Sequence, residues 1–374
     1  MNERDSATRA ETVGSLLRPK KVLDALESGG EPPDTERFGE ILNDAVSEAI
    51  GLQEEAGLDV ITDGELRRVS WAQTPSFLDC FESRPGSTTA LNWRGGNGSE
   101  NPNTPRAYPA VVRRVSRARR VGSMAAEYAF LARHTNARTK YSLAAPSYHR
   151  RYWSDEHSRA IYDSCEEFLT EVRDYQREVV VELVALGCDY IQLDAPNYGS
   201  LCDPDTRAQM ERQGRDVAAE LAFDAELDNS LFEGLKNVTR AMHICRGTGP
   251  GGRWHSIGGY GAISGELFSR LDFDRLLLEY DSDRAGTFGP LAEVRPGTVA
   301  VLGLLTTKSG QLEDEEIVAS RIAEAAEVKP LSELALSTQC GFASVASGNP
   351  VSPGQQQAKL ELVAKLAHRT WGAA

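Results

Sequence analysis

Thr239-Arg-Ala-Met-His-Ile-Cys-Arg-Gly-Thr-Gly-Pro-Gly-Gly252 is a short apolar segment that ends in His243-x-Cys245 and runs straight into a glycine-rich loop. Residues two apart on an extended strand point to the same side, so a strand here aims both side chains at one place beyond its C-terminal end. An imidazole nitrogen and a cysteine sulfur can share one ion. Taken alone, the pair reads equally as a hydrogen-bonded core histidine beside a buried cysteine, because both are common in interiors. The loop from Gly247 to Gly252 reads as a strand-to-helix connection rather than a phosphate cradle. Whether other strands end in the same way decides between these readings.

Working outward, the same pattern recurs. Thr12 to Leu17, Leu58 to Arg68, Tyr141 to Pro146, Cys188 to Asp194, Leu276 to Asp281, Val299 to Lys308 and Leu334 to Gly341 each carry an apolar stretch that gives way to polar residues. Amphipathic stretches of helical length separate most of them: Thr35 to Ala56, Asp155 to Leu186 with a stop at Gly187, Asp205 to Leu235, Glu313 to Glu327 and Pro353 to His368. Eight strands alternating with helices predict an α/β fold, a single-domain (β/α)8 TIM barrel over residues 1–374. An open doubly wound sheet is the alternative, but Val13-Gly-Ser15 is no phosphate fingerprint after its first strand. Residues 84–110 are rich in Gly, Ser, Asn, Thr and Pro, which marks a polar insertion. The basic cluster from Arg113 to Arg120 reads as a solvated edge with no assigned function.

Composition narrows the chemistry. A hydrophobic content of 40% suffices for a globular interior, and no apolar run approaches the roughly 18 residues that cross a bilayer. The polar start, Met-Asn-Glu-Arg-Asp-Ser, lacks the apolar core of a secretory signal, so a cytoplasmic protein is expected. Six cysteines in 374 residues are too sparse for a disulfide framework and are expected to be free. A net charge of -14 argues against a nucleic-acid partner. The oligomeric state is open.

In a parallel barrel the residues at strand C-termini converge however far apart they lie in sequence. Ser15, Glu65, Asp194, His243, Cys245, Glu279, Lys308 and Cys340 all take such positions. Any one of them is explained by a solvated loop or a structural cysteine; their coincidence is not. His243, Cys245, Glu279 and Cys340 offer one nitrogen, two sulfurs and one oxygen, a set that suits tetrahedral Zn2+ rather than Mg2+ or Ca2+. With two thiolates and a carboxylate such a site has a formal charge of about −1, poor for activating water and well matched to keeping a sulfur electron-rich. Thiol alkylation is the reaction it favours.

Val13-Gly-Ser15, Asp63-Gly-Glu-x-x-Arg68, Gln192-x-Asp194-x-Pro196, His243-x-Cys245, Glu279 and Gln339-Cys-Gly341 together resemble the cobalamin-independent methionine synthases. The likeness is closer still to their short single-barrel relatives, a group that includes the zinc epoxyalkane:coenzyme M transferases. It covers nearly the whole chain outside the polar insertion. It implies a zinc barrel with His243, Cys245, Glu279 and Cys340 as ligands, and Ser15, Glu65 and Asp194 on the amino-acid part of a homocysteine-like thiol. This sequence departs from the synthases in having only the catalytic barrel, Thr306-Thr-Lys308 where they place a histidine, Ala195 after Asp194 in place of a glutamate, and Asn197-Tyr-Gly-Ser200 without their acidic residue. A folate donor is therefore not expected.

The expected function is zinc-dependent thiol S-alkyl transfer, most simply methyl transfer to a homocysteine-like thiol. Lys308 is the catalytic candidate, and Arg246 joins the substrate-binding set as a contact for an anionic group. Loop position puts His149, Trp153, His255 and Tyr260 on the donor side. Cys80, Cys165, Cys188 and Cys202 read as structural. Alternatives are thiolate attack on an epoxide or other activated carbon by a different thiol, a hydrolytic barrel, which would want more histidine ligands, and a non-catalytic zinc-stabilised binding protein.

Overall fold

The computed structural model describes residues 8–27, 36–72, 78–84, 93–95, 108–116 and 123–372. Most of the polar insertion, the far end of the basic cluster and the N-terminal hexapeptide lie outside these residues. Eight parallel segments carry the architecture: β1 Ala10–Glu11, β2 Val60–Ile61, β3 Tyr141–Ala144, β4 Tyr190–Asp194, β5 Thr239–Ile244, β6 Arg275–Glu279, β7 Val299–Leu305 and β8 Leu334–Thr338. Seven of them form one sheet in the order β1-β8-β7-β6-β5-β4-β3. β2 pairs in parallel with Arg138–Thr139, the two residues that lead into β3. The result is an α/β barrel-like fold with helices on the outside of a parallel sheet.

Strand parity explains where side chains go. Ala241, Leu277, Val299, Val301 and Ala335 share one buried cluster with Val13, Val60 and Tyr190. Their strand neighbours Met242, Ile244, Leu276, Leu278, Ala300, Leu302 and Leu336 belong to a second cluster, with the helices. Both faces are buried, as in other parallel sheets, so the strands read as continuous apolar runs. Alternation from Ala241 carries His243 and Cys245 to the inner side, and alternation from Leu277 carries Glu279 there.

The helices follow local rules. α1 (Lys20–Glu27) and α2 (Glu36–Glu55) follow β1, and α3 (Met124–His134) precedes β3. The expected helix from Asp155 is broken into a single turn, Asp155–Ser158, and α4 (Cys165–Ala185). Ser164 caps α4 by accepting from Glu167 N–H, and Ser-x-x-Glu is a helix start rather than an interior sequence. The expected helix from Asp205 is likewise two, α5 (Pro204–Arg212) and α6 (Val217–Ser230), because Asp203 and Asp216 each cap a separate N-terminus. After α7 (Glu315–Ala326), α8 (Pro353–Trp371) starts from a capping box of Ser352 and Gln355. Gln356 of α8 accepts Leu17 N–H at 2.7 Å, tying the terminal helix to the loop after β1. Where the basic cluster is described, it is ion-paired: Arg113 meets Asp79 at 3.0 Å, and Arg114 meets Glu167 at 2.7 Å.

Candidate metal centre and substrate cavity

His243 near the end of β5, Cys245 just beyond it and Cys340 two residues past β8 place their donor atoms within 4.8 Å of one another, all buried. Leu277 of β6 is in register with His243, and its carbonyl accepts from Nδ1 at 3.2 Å. A carbonyl only accepts, so the proton sits on Nδ1 and the Nε2 lone pair is left for another partner. Nε2 is buried without a hydrogen bond. The two thiols act on each other first: the hydrogen bond between them pulls Cys340 well below the ordinary thiol range and pushes Cys245 above it. A second thiolate beside the first requires a cation. Two soft sulfurs and an orphaned imidazole nitrogen fit a metal ion, and these three residues could hold one.

Glu279 is on the same inner face but outside that trio. It is fully buried, and its Oε1 pairs with Arg284 and, at 3.2 Å, with Lys308, while Oε2 accepts Arg246 N–H at 2.7 Å. Burial opposes its charge, but Lys308, Arg284 and Arg246 outweigh burial and hold the carboxyl below its usual range. Glu279 is a carboxylate on a cationic tether.

The trio opens into a cavity of about 260 Å3, also lined by Ser15, Glu65 and Asp194. Glu65 Oε1 accepts from Ser142 at 2.7 Å, whereas Oε2 is buried with no partner. Asp194 accepts from Gln192 at 2.7 Å. Burial raises both carboxyls, Asp194 to about 7, even though Arg68 comes within 3.8 Å of Glu65 Oε1. Glu65 has a left-handed backbone (φ 55). Arg18 supports that conformation by donating to Glu65 O at 3.2 Å and Ala343 O at 3.1 Å, which clamps the loops after β1, β2 and β8 together. Glycine at 14 makes room for the carboxylate, since a Cβ there would come within 2.4 Å of Glu65 Oε1.

Two expected residues act differently. The Arg246 guanidinium does not line the cavity. It donates to the carbonyls of Gly258 at 2.7 Å and Glu279 at 3.1 Å and lies over the Tyr260 ring, away from the cavity in which a substrate contact was expected. Lys308 is also absent from the lining. Its ammonium is held by Glu279 and, at 2.7 Å, by Asp281. Both side chains meet Glu279 or its backbone outside the cavity lining.

Of the four residues expected on the donor side, His149, Trp153, His255 and Tyr260, only His255 lines the cavity. His149 turns inward to the carbonyls of Ala145 and Pro146, Trp153 donates to Asp155, and Tyr260 donates to Ile244 O. Sequence reasoning missed the aromatic mouth formed by Trp71, Tyr108, Tyr148 and Tyr152, with Arg151 among them. Tyr148, Arg151 and Tyr152 follow β3, so the strand-end rule would have found them. None of the six cysteines is in a disulfide. Burial pushes Cys80, Cys165 and Cys188 to about 12, which makes them inert packing.

Compared with known proteins, the chain is 33% identical to the uncharacterised Bacillus subtilis protein YxjH, covering 99% of this chain and 96% of that one. Against a solved structure described as a putative vitamin-B12-independent methionine synthase from Listeria monocytogenes, it is 27% identical with a TM-score of 0.72, covering 97% and 98% of the two chains. The chain belongs to the cobalamin-independent methionine synthase family. Within that family it is also 26% identical to the 2-hydroxypropyl-CoM lyase of Xanthobacter autotrophicus, over 83% of this chain and 82% of the lyase. A B12-independent methionine synthase from Shewanella sp. W3-18-1 shares the fold, with a TM-score of 0.71 at 22% identity and 97% of each chain covered. No protein-family model matches the chain.

Proposed function

We propose that this chain is a zinc-dependent thiol S-alkyltransferase that most simply methylates a homocysteine-like thiol. The observation that carries the reading is the meeting of three soft donors, His243, Cys245 and Cys340, with two buried carboxyls, Glu65 and Asp194, in one cavity. His243, Cys245 and Cys340 would hold the ion. Glu279, kept ionised by Lys308 and Arg284, would be a fourth ligand. When bound, zinc supplies the positive charge that keeps a substrate sulfur deprotonated at neutral pH. Everything else falls to the protein. Leu277 O fixes the His243 tautomer, Glu65 and Asp194 receive a substrate ammonium in charge-assisted hydrogen bonds, and Ser15 stands beside them. Trp71, Tyr148 and Tyr152 wall the cavity and keep water from the reacting carbon.

Two structural readings belong to the same proposal. The sheet closes into a full (β/α)8 barrel, supported by Asp59 N–H donating to Ala10 O at 2.9 Å and Lys140 N–H to Ile61 O at 3.1 Å, which link β1, β2 and β3. The protein works in the cytoplasm, where its six free cysteines stay reduced; among the described residues no helix is long and apolar enough to cross a membrane. The likeness to the 2-hydroxypropyl-CoM lyase favours one alternative, thiolate attack on an epoxide. Glu65 and Asp194 weigh against it, since an anionic thiol would be repelled by both.

The test is metal content of the purified protein, then titration with homocysteine and coenzyme M while X-ray absorption reads the zinc coordination. One zinc that gains a sulfur with homocysteine supports the reading. Gain only with coenzyme M selects the alternative, and zinc whose ligands ignore both thiols, or no zinc, overturns it.

A further inference from the structure

Arg151 is a cation in the cavity with no counter-ion among the described residues. It follows β3 in the helical turn Pro146–Tyr152 and lines the same cavity as Glu65 and Cys340. Its Nη1 donates to Tyr148 OH at 2.7 Å and Tyr108 OH at 3.1 Å, and its guanidinium lies 3.9 Å from the Tyr148 ring centroid and 4.8 Å from that of Tyr108. Nε is buried and makes no hydrogen bond. Among the described residues no carboxylate pairs with Arg151, whereas the guanidinium groups of Arg68, Arg150 and Arg284 each pair with a buried acid. A guanidinium has two forked edges, and the phenols use only Nη1. The side-on edge of Nε and Nη2, the one that matches both oxygens of a carboxylate or sulfonate, is left over.

The surrounding rings sharpen the argument. A cavity walled by Trp71, Tyr108, Tyr148 and Tyr152 would ordinarily suit a sulfonium or quaternary ammonium, which stack on aromatic faces. Here Arg151 already takes the faces of Tyr108 and Tyr148, so a second cation would meet both occupied rings and like charge. A half-buried guanidinium whose Nε is out of reach of water and unpaired is costly, and a ligand anion reduces that cost.

We propose that Arg151 is the anchor for an organic anion, a carboxylate or sulfonate, carried by one of the two substrates. This rests on the reading of the cavity as the place where thiol and donor meet. Glu65 and Asp194 serve an ammonium, and Arg151 serves the opposite charge. The anion belongs either to the donor or to the thiol's own carboxylate, and competition separates the two.

Calorimetry on the metal-loaded enzyme would compare benzoate, benzamide and benzyltrimethylammonium, which share a ring and differ in charge. Benzoate is expected to bind at least about tenfold more tightly than the other two, the scale of one charge-assisted hydrogen bond. R151Q should erase that preference and R151K restore part of it. Benzoate binding that survives saturating homocysteine assigns the anion to the donor; competition assigns it to the thiol. Equal binding of benzoate and benzamide, preference for the cation, or binding of none of the three overturns the proposal. The wild-type ranking is taken with and without metal, and a preference for benzoate that vanishes with the ion also overturns the proposal, so an unfolded R151Q protein does not rescue it. Sulfur gained by zinc on adding homocysteine is read separately in the same preparation, so the anion site can fail while the thiol chemistry stands, and the reverse.

Discussion

In the proposed reading Cys340 serves the metal and Glu65 the substrate ammonium, and substitution separates the two. Cys340→Ala removes one of three converging donors. Its metal affinity is expected to fall by more than the roughly 10–100-fold that loss of an outer partner costs, measured by competition with a chelator. Full metal retention would remove Cys340 from the site. Glu65→Gln leaves the metal donors untouched and keeps the hydrogen-bonding shape. KM for an amino-acid thiol is expected to rise about tenfold or more, the scale of a charge-assisted hydrogen bond, with metal content unchanged; unaltered kinetics would end its ammonium role. Lys308 gives a third contrast. Its ammonium neutralises Glu279 and Asp281, so Lys308→Ala should act through Glu279. We expect lower metal affinity together with lower kcat, and a variant with normal metal affinity but lost donor binding would instead put Lys308 on the substrate.

At the scale of elements, the loops after the strands are held by fits that single atoms can break. Gly247 follows the His-x-Cys pair with φ +78, and a Cβ there would come within 2.0 Å of the His255 ring. Gly247→Ala is therefore expected to displace the loop after β5 and to weaken metal binding although no donor is changed. A second joint lies below α6, where Asp228 accepts from Ser147 Oγ and Tyr198 OH, each at 2.7 Å, and pins α6 to the turn after β3. Burial raises this carboxyl from 3.8 to about 7. The native state thus holds the proton more tightly than the unfolded chain does. The associated stability is fully present below the unfolded value and is lost as pH rises through about 7. Melting curves should show that decline, and Asp228→Asn should flatten it; an unchanged pH slope would mean the carboxyl is ionised throughout.

For the whole molecule, the apolar core is independent of the metal trio. The barrel interior and the sheet-helix layer are each built from aliphatic and aromatic side chains. Removing the metal by chelation is expected to lower Tm by a ligand-linkage amount while far-UV circular dichroism stays native. Collapse of the spectrum would mean that the ion organises the fold, as in a zinc finger.

The sequence by itself determined the alternation of strands and helices and the set of strand-end residues. Apolar runs ending in polar loops are a local signal, and the parity of Ala241, His243 and Cys245 follows from strand geometry alone. It also carried the helix breaks, in Ser164-x-x-Glu167 and in Asp203 and Asp216, though amphipathic spacing on either side masked them. Only the tertiary structure decided which charged side chains face the cavity. Lys308 and Arg246 lie near strand ends just as Glu65 and Asp194 do, yet ion pairs and carbonyls hold them at Glu279 outside the cavity lining. Arg151 looks like any loop arginine until the fold shows two tyrosine rings beneath it and, among the described residues, no acid beside it. The difference is physical: a strand's period is written in neighbouring residues, whereas the partner of a long charged side chain comes from another part of the chain.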